Sequence, residues 1–484
     1  MKGQPRAERT IHFVSLGCPK NRVDTEVMLG VAERAGYAHV AEATEADVIV
    51  VNTCGFIAAA KKESIDTILE LGRHKASGTC RRLVVAGCLS QRHPDELAEG
   101  MPEVDHFLGS SDMLRLEEVL RGKAERVLVG SPADWVVRAS DPRTISTRGA
   151  SAYVKLAEGC NRRCSFCVIP DLRGKQRSRR PDDLLEEVRR LAGAGVVEVN
   201  LVSQDTVAYG RDLDGRTNLA ALVRRIADVP GLAWVRLFYL YPEKLTAELI
   251  DLLGGHPKVL PYVDMPLQHA ADAMLRRMRR GHGGMRLREL VVRLSERVPG
   301  LVLRSAFIVG HPGETPAEFE ELCDFVRWAE LDRVGVFRYS DEDGSTSRGF
   351  PGKVAASIAE RRARKLMGLQ RPISRKKNRA LVGRTLDVLV EGRSEESNLV
   401  MVGRHAGQAP EIDGAVFLSG PTPAPGRIVA ARITQASDYD LVGEVTGAEA
   451  YRPAGRRAPT AGLAAPAPLV HRASDGRRVT LRVT

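Results

Sequence analysis

Three closely spaced cysteines constrain this chain more than any other feature of its sequence. Cys160, Cys164 and Cys167 follow the spacing C-x3-C-x2-C. Three thiols this close cannot all pair as disulfides, because one of them is always left over. A tetrahedral zinc site needs a fourth ligand, and no further Cys or His follows at finger-like spacing. The pattern therefore favours an iron–sulfur cluster that is held by three thiolates and keeps one iron open to another ligand.

The same segment resembles the signature of radical S-adenosylmethionine (SAM) enzymes, and Phe166 supplies the aromatic residue of that signature. The resemblance implies that Cys160, Cys164 and Cys167 hold a 4Fe–4S cluster and that SAM chelates its open iron. It also implies that an electron from the cluster cleaves SAM to methionine and a 5′-deoxyadenosyl radical. The alternative interpretation is a loop with three structural cysteines.

The composition is that of a globular chain without membrane or secretion signals. Its 484 residues suggest about three domains. No apolar run is long enough to span a membrane, and the first residues lack the apolar core of a signal peptide. Eight cysteines in such a chain indicate a reducing compartment and metal binding. We therefore expect a cytoplasmic protein.

Residues 8–140 are predicted to form a doubly wound, parallel α/β domain. Three apolar segments, 11–18, 46–54 and 82–88, end in Cys18, Cys54 and Cys88. Helical patterns follow them, as expected for parallel strands buried on both faces. The carboxyl ends of such strands meet at one edge, so the three cysteines can converge on a second cluster site. The alternative is that these distant cysteines are merely buried, as we expect for Cys80 and Cys323. The helical patterns cover residues 24–35, 58–73 and 94–98.

The sequences at 16–26, 52–56 and 86–89 resemble the N-terminal domain of the radical SAM methylthiotransferases. These enzymes insert a sulfur atom and a methyl group into their substrates. The resemblance implies that Cys18, Cys54 and Cys88 hold an auxiliary 4Fe–4S cluster that carries the sulfur to be transferred. One SAM would methylate this sulfur, and a second would supply the radical that removes a substrate hydrogen.

Residues 145–378 are predicted to form an open, partial (β/α)6 barrel, the usual core of radical SAM enzymes. The strand-like segments are 152–157, 197–203, 233–240, 262–267, 303–310 and 333–339. The helical patterns between and after them are 182–192, 219–227, 245–253, 270–280, 285–298 and 316–329.

Polar and glycine residues near the predicted strand ends are candidates for binding SAM. Gln204 offers an amide, Arg304 can pair with a carboxylate, and Gly310 lets the backbone approach a base closely. The family resemblance also implies Phe166 and the segment 308–314, which begins with Ile308. The alternative is that Gln204 and its neighbour Asp205 merely cap the next helix.

Residues 379–446 are predicted to form a small all-β domain that resembles the TRAM domain, an OB-like barrel. Short strands are expected at 385–391, 398–404, 414–418, 426–434 and 441–445. The domain has six basic and nine acidic residues, which does not suit RNA and instead suits a basic protein partner.

The net charge of +11 is concentrated in two segments. Residues 353–378 form a predicted basic amphipathic helix, for which contact with ribosomal RNA and a solvated surface are the alternatives. This segment and the basic tail, residues 447–484, are both expected to attract ribosomal RNA without sequence specificity. Residues 447–484 are rich in Ala, Pro and Arg and are predicted to be mostly disordered. A strand near 478–483 is the exception, with no partner that the sequence reveals.

The motifs resemble the methylthiotransferases that modify the β-carbon of an aspartate in small-subunit ribosomal protein twelve. They are Gly-Cys-Pro-Lys-Asn at 17–21, Pro-Leu-Gln-His at 266–269, Phe-Ile-Val-Gly at 307–310 and the segment 438–443. His311 departs from the expected Phe. A tRNA methylthiotransferase acting beside the anticodon is the alternative, and a non-catalytic iron–sulfur RNA-binding protein is a further one. The resemblance also implies an electron donor such as flavodoxin or ferredoxin, and we expect a monomer.

Overall fold

The computed structural model describes residues 9–77, 80–213, 217–394, 397, 399–447, 469–472 and 478–481. The chain folds into a parallel α/β unit, an open parallel barrel and a small closed β-barrel, which confirms the predicted fold class.

The N-terminal unit is a parallel sheet in which β1, β3, β4, β5 and β6 are neighbours in that order, while β2 pairs with the start of β1. The predicted strands are present, and β2, β5 and β6 are too short to give a periodic signal in the sequence. The strands are β1 (Arg9–Leu16), β2 (Tyr37–His39), β3 (Val48–Thr53), β4 (Arg82–Gly87), β5 (His106–Leu108) and β6 (Val127–Leu128). The helices are α1 (Pro19–Arg34), α2 (Ala58–Ser77), α3 (Cys88–Arg92), α4 (Pro94–Gly100) and α5 (Leu116–Leu120).

Both faces of this sheet are covered, as its continuous apolar strands predict. Phe13 of β1 packs in one apolar core with Met28 of α1, while its neighbour Val14 packs in a second core with Ile68 of α2. Adjacent residues of a strand point to opposite faces, so the two cores lie on the two sides of the sheet. Cys80 belongs to the second core, in agreement with its interpretation as a buried thiol.

The central unit is an open parallel sheet, and its described strands follow the order β7, β10, β11, β12, β13 and β14. Its strands are β7 (Ser151–Lys155), β10 (Glu198–Val202), β11 (Trp234–Leu237), β12 (Val259–Asp264), β13 (Val302–Val309) and β14 (Arg333–Arg338), with a short hairpin of β8 (Ala157–Glu158) and β9 (Arg177–Ser178). Its helices are α6 (Ile169–Arg173), α7 (Pro181–Gly193), α8 (Leu219–Ala227), α9 (Ala247–Gly255), α10 (Asp272–Arg277), α11 (Gly284–Arg297), α12 (Pro316–Ala329) and α13 (Ala356–Arg379).

The helices of this unit cover one face of the sheet. Ala152, Val154 and Leu201 point into the large apolar core beneath them, which also contains the buried thiol of Cys323. Helix boundaries follow the sequence closely where caps are present. For example, α12 begins after Thr315, whose side chain accepts a hydrogen bond from the backbone N–H of Glu318.

The C-terminal unit is a closed barrel in which β15, β16, β17, β19 and β18 follow one another. The strands lie at the predicted positions, with boundaries that differ by a few residues. They are β15 (Thr385–Arg393), β16 (Met401–His405), β17 (Val416–Ser419), β18 (Ile428–Ala436) and β19 (Leu441–Val445).

The closed barrel packs against the face of the open sheet that the helices leave uncovered. Arg404 forms an ion pair with Glu198 of β10 at 2.6 Å. In the loop after β16, the Pro410 carbonyl accepts a hydrogen bond from the Tyr153 hydroxyl, and Asp413 accepts one at 2.7 Å from the Tyr262 hydroxyl. The barrel is therefore joined to the central unit through buried polar contacts, which the sequence did not indicate.

These contacts account for much of the acidic composition of the barrel without a basic protein partner. Several of its carboxylates are paired with basic residues of the other units instead of facing a partner. The pairs are Glu411 with Arg22, Asp413 with Arg304, and Asp438 with Arg371 and Arg375. The charge count therefore reflects docking between domains, and it no longer distinguishes a protein substrate from an RNA substrate.

The basic segment 353–378 is mostly neutralised in the same way. Within the described chain, only Arg361 and Arg364 of its basic residues lack an acidic partner within ion-pair distance. The remaining pairs are Lys353 with Asp341, Arg362 with Glu314, Lys365 with Glu320, Lys376 with Glu330 and Lys377 with Asp332. Contact with ribosomal RNA remains a prediction, but this helix has less free charge than its composition suggests.

The predicted disorder of the tail is wrong for residues 469–472, whereas the strand expected near 478–483 is present at 478–481. Strand β20 (Leu469–Arg472) pairs in parallel with the end of β1, and β21 (Arg478–Leu481) pairs antiparallel with β20. Strand β2 pairs only with the start of β1, so the backbone groups at the end of β1 remain available for β20. The rest of the tail prediction, for residues 448–468, 473–477 and 482–484, lies outside the described residues. No helix in the described parts of the chain has the length and apolar character needed to cross a membrane.

Candidate active site

The three N-terminal cysteines, called the N-terminal triad below, converge at the carboxyl edge of their sheet. Cys18 precedes α1, Cys54 follows β3, and Cys88 begins α3. Gly17 adopts a φ of +92°, and a Cβ at this position would lie 2.8 Å from the Cβ of Cys54. Burial raises the pKa of Cys54, and the nearby Cys88 and Cys18 raise it further. Three strand ends thus bring these thiols into one electrostatically coupled group.

The cysteines of the 160–167 segment, called the core triad below, lie in the loop between β8 and α6. The Sγ atoms of Cys160 and Cys167 accept hydrogen bonds from the backbone N–H groups of Arg162 and Ile169 at 3.4 and 3.5 Å. Burial raises the pKa of Cys160 to about 11. Burial, followed by the proximity of Cys164 and Cys160, raises that of Cys167 to about 12. Burial destabilises the charged thiolate and not the neutral thiol, so a nearby cation is needed to stabilise these cysteines as thiolates.

The donors of both triads are thiols, the ligand type of an iron–sulfur cluster. Across the described residues, no three or more His, Cys, Asp or Glu side chains surround a position for one ion. In an iron–sulfur cluster each thiolate binds a different iron atom, so the three sulfur atoms need not surround a single position. Three soft sulfur donors in each group, with backbone N–H groups aimed at the core triad, suit such a cluster.

Arg173 joins the helix that follows the core triad to the N-terminal triad. It ends α6, directly after the core triad loop, and its guanidinium donates to the Sγ of Cys88 from Nε at 3.3 Å and from Nη2 at 3.2 Å. The side chains of Val168 and Leu172 also pack against Cys88. Val168 of the core triad loop and Arg173 of the following helix therefore both contact a cysteine of the N-terminal triad.

A buried charge network surrounds this contact. Lys155 pairs with Asp24 at 2.6 Å and also with Glu158, while Arg173 pairs with Asp24 at 2.7 Å. Burial disfavours the carboxylate of Glu158, but Lys155 and Arg173 outweigh burial and lower its pKa to about 2. Each of these side chains is almost fully buried, so the network holds the N-terminal and central units together while excluding water.

Residues 16–26, which carry the family resemblance, provide most of the N-terminal side of this interface. The side-chain amide of Asn21 donates to the carbonyls of Leu16 and Thr53 at 2.9 and 2.8 Å, and its oxygen accepts from Arg173. Glu26 accepts hydrogen bonds from Arg143. The motif thus fixes two cysteine-bearing strand ends and docks them on the central unit.

Lys20 enters the same interface with a different partner. Its Nζ lies 3.4 Å from the centre of the Tyr239 ring, and Tyr239 follows β11 with a φ of +55°. Burial opposes the charge of Lys20, but Tyr239 and Cys18 outweigh burial, so the pKa is raised from its ordinary value. An ammonium group therefore lies close to the N-terminal triad at the carboxyl end of a barrel strand.

Two of the predicted SAM-binding residues come together beside the core triad. Phe166, inside the cysteine loop, packs with Ile308, Met274 and Met278.

Gly310 has a φ of +79°, and a Cβ there would lie 2.5 Å from the Cβ of Ala359. The close approach of α13 is therefore enough to require glycine at 310, whatever binds nearby.

Gln204 and Arg304 have protein partners in the structure. Gln204 donates to Glu158, while its amide oxygen is buried without a hydrogen-bond partner among the described residues. Such an oxygen suits a site that receives a ligand donor. The interpretation that Asp205 caps the next helix is wrong, because its carboxylate accepts from Arg162 instead. Arg304 lies between Asp264 at 2.9 Å and Asp413 at 3.6 Å.

His311 replaces the expected phenylalanine without disturbing the local packing. It is fully buried, and its ring meets Tyr339 and Phe350 edge-on, with centroid distances of 5.1 and 6.1 Å. Its Nε2 lies 3.3 Å from the Oγ of Ser165. Burial lowers the pKa of His311 to about 4, so it is neutral and acts as an aromatic residue.

The sequence interpretation missed the residues that join the N-terminal unit to the central unit beside Cys88: Arg173, Lys155 and Asp24. A signal was present for Asp24, which lies within the resemblance at 16–26, and for Arg173, which closes the short helix after the cysteine loop. Their pairing across two domains has no signature in local sequence, because the partners are more than 100 residues apart in the chain.

Comparison with known proteins supports this architecture. Residues 10–109 match the Uncharacterized protein family UPF0004, residues 154–326 match the Radical SAM superfamily, and residues 382–446 match the TRAM domain. The chain is similar in fold to the solved structure of the radical S-adenosylmethionine methyltransferase TsrM from Kitasatospora setae. That similarity has a TM-score of 0.50 at 17% identity and covers 68% of this chain and 73% of TsrM.

Two relatives match nearly the whole chain. A protein of Sorangium cellulosum (strain So ce56) is 66% identical over 483 residues, which is 99% of this chain and 98% of the relative. A protein of Myxococcus xanthus (strain DK1622) is 48% identical over 437 residues, which is 90% of this chain and 92% of the relative. Both are named ribosomal protein uS12 methylthiotransferase RimO.

Proposed function

Because this chain belongs to the RimO family of ribosomal protein uS12 methylthiotransferases, we propose that it replaces a hydrogen on the β-carbon of an aspartate in uS12 with a methylthio group. The observation that carries this proposal is the contact between Arg173 and Cys88. This contact holds the helix that follows the core triad against the N-terminal triad, which supports the proposal because such a reaction needs a radical source and a sulfur carrier close together.

We assign the core triad to a 4Fe–4S cluster with an iron open to SAM. When bound, the cluster and SAM supply a radical that removes hydrogen from an unactivated carbon, which acid–base side chains cannot do. The chain's own part is to bury the thiolates and to donate hydrogen bonds to them from Arg162 and Ile169. Phe166 and Ile308 form the apolar wall beside them, which suits the adenosine side of SAM.

We assign the N-terminal triad to a second 4Fe–4S cluster, held by Cys18, Cys54 and Cys88. Two observations support this assignment. The cysteines converge from three strand ends, and the Arg173 guanidinium donates to one of their sulfur atoms. A buried cation beside a thiolate offsets its charge where water is excluded. Arg173 therefore stabilises the negative sulfur ligand and holds the N-terminal triad against the core triad loop.

The choice of a protein substrate is supported by the names of the relatives. The charge of the closed barrel does not decide between protein and RNA, because its carboxylates pair with Arg22, Arg304, Arg371 and Arg375. We further propose that the protein acts in the cytoplasm as a monomer and takes electrons from a flavodoxin or a ferredoxin. We also propose that Arg361 and Arg364 contact ribosomal RNA without sequence specificity.

The test is mass spectrometry of the reconstituted protein with SAM, a reductant and sulfide. Two substrates are offered together: a peptide of the aspartate loop of uS12, and an isopentenylated anticodon stem-loop. We expect the peptide to gain the mass of a methylthio group in place of one hydrogen, with fragmentation placing it on the aspartate. Gain on the RNA alone would replace this proposal with tRNA modification. Bound clusters without any SAM cleavage would indicate a non-catalytic protein.

A further inference from the structure

Lys20 is a buried cation without a carboxylate partner among the described residues, in a region where other cations have one. Its side chain is almost fully buried, and no carboxylate of the described residues lies within ion-pair distance of it. In contrast, Lys155 and Arg173 share Asp24 and Glu158, and Arg162 pairs with Asp205. The Tyr239 ring and the neighbouring Cys18 keep the ammonium group charged despite its burial, yet no carboxylate neutralises it.

The surroundings of Lys20 point to a ligand rather than to a structural tether. Lys20 follows Cys18 by two residues, and its ammonium group lies over Tyr239 at the carboxyl end of β11. Tyr239 is held in the left-handed backbone region, with its N–H donating to Asp264 at 3.2 Å. Strain of this kind in a non-glycine residue is typical of functional sites, where neighbours hold a side chain in one orientation.

We propose that Lys20 binds the side-chain carboxylate of the substrate aspartate. This inference rests on the proposed function, because it names the group that would recognise that substrate. The carbon to be modified is bonded directly to the carboxylate, so a cation that fixes the carboxylate also fixes the carbon. Lys20 provides that cation beside the N-terminal triad, and the substrate provides the anion that Lys20 lacks.

The experiment compares Asp and Asn forms of the uS12 loop peptide on the reconstituted protein. Equilibrium binding is measured without reductant, and kcat and KM are measured with it. We expect the wild-type protein to bind the Asp peptide more tightly. The variant Lys20→Met should weaken binding of the Asp peptide by about 10- to 100-fold and abolish the preference over Asn, because a charged hydrogen bond is lost. Lys20→Arg should retain most of the preference.

Two controls separate recognition from folding. Lys75→Met removes a lysine of the same domain that is paired with Asp105, and it should leave the Asp preference unchanged. Iron content and peptide-independent SAM cleavage should match the wild-type protein in every variant. If Lys20→Met loses iron, the polar Lys20→Gln variant, which also lacks the charge, replaces it in the comparison.

The outcomes distinguish this inference from the proposed function. If the wild-type protein never modifies the Asp peptide, the proposed function fails, whatever Lys20 does. If the wild-type protein modifies it and the uncharged variants keep the Asp preference, the inference is overturned. An altered EPR spectrum of the N-terminal cluster with an intact preference would show that Lys20 balances cluster charge instead.

Discussion

A buried cluster of charges is one of the contacts between the closed barrel and the open sheet, and Arg404→Met tests what it contributes. Glu198 of β10 is fully buried and pairs with Arg404 at 2.6 Å and with Arg236 at 3.0 Å. Arg404 also pairs with Glu391 of its own barrel. Methionine keeps the length and apolar stem of arginine but leaves both carboxylates without this partner.

The magnitude of the effect follows from the state of Glu198. Burial disfavours its carboxylate, but Arg404 and Arg236 outweigh burial and lower its pKa from 4.5 to about 2. This difference corresponds to about 3 kcal/mol of stability, present at neutral pH and lost as the pH falls from 4.5 towards 2. Breaking a buried ion pair from one side costs about 3–5 kcal/mol. We therefore expect Arg404→Met to weaken barrel docking by about 3 kcal/mol.

The assay is hydrogen exchange at neutral pH, because a chain with several domains does not unfold in one step. A loss of 3 kcal/mol should speed the exchange of amides in β16 and the following loop by about 100-fold, while β3 and β4 exchange at unchanged rates. The control is Arg432→Met, which removes the exposed pair with Glu444 in the same barrel. That pair contributes at most about 1 kcal/mol, so exchange there should change less than about tenfold.

Equal effects of the two substitutions would refute this reasoning, because buried and exposed pairs would then contribute alike. Faster exchange across the whole chain would also contradict it, since the barrel would then be essential for global folding and not merely docked.

Three further predictions concern the triads and the response to acid. Cys18→Ala should lose the N-terminal cluster and Cys160→Ala the core cluster, so each variant should keep about half of the bound iron. Loss of all iron in either variant would show that the two sites do not form independently. Arg173→Met should preserve the core cluster but lower the reduction potential of the N-terminal cluster, because it removes a cation beside the Cys88 ligand. An unchanged potential would mean that Arg173 only holds the two units together. Burial, followed by the cations Arg333, Arg236 and Arg404, lowers the pKa of His405 to about 3, so the folded protein keeps this side chain neutral. The unfolded chain binds a proton at His405 below about pH 6.5, so the stability of the folded state should fall as the pH drops below that value. In His405→Asn this loss between pH 7 and pH 5 should be smaller by about 2 kcal/mol, measured by exchange in the barrel, and an unchanged slope would mean that other groups cause it.

The sequence predicted the elements whose signal is local. Continuous apolar strands ending in Cys18, Cys54 and Cys88 correctly placed those residues at one edge of a sheet, because parallel strands must share a direction. The strand and helix patterns of the central unit likewise matched the observed elements. Its strands pack against a layer of helices, and this burial leaves an apolar pattern that can be read in the local sequence. The role of each cysteine as a ligand stays a prediction.

The sequence did not reveal contacts that form between domains. Arg304 was a candidate for SAM because an arginine can pair with a carboxylate, and it does pair with carboxylates, those of Asp264 and Asp413. Composition counts such as the acidic character of the barrel were informative about charge but not about its location. Likewise, the strand at 469–472 could be recognised only once the open edge of β1 was known.

The central claim is that both triads hold clusters that face one another across the Arg173 contact. Electron paramagnetic resonance of the reduced, reconstituted protein tests it most directly. We predict that the two clusters interact magnetically, giving a broadened spectrum that becomes the simple spectrum of one cluster in Cys18→Ala and in Cys160→Ala. A wild-type spectrum equal to the sum of the spectra of these two variants would contradict the claim, because the clusters would then be too far apart to share one substrate.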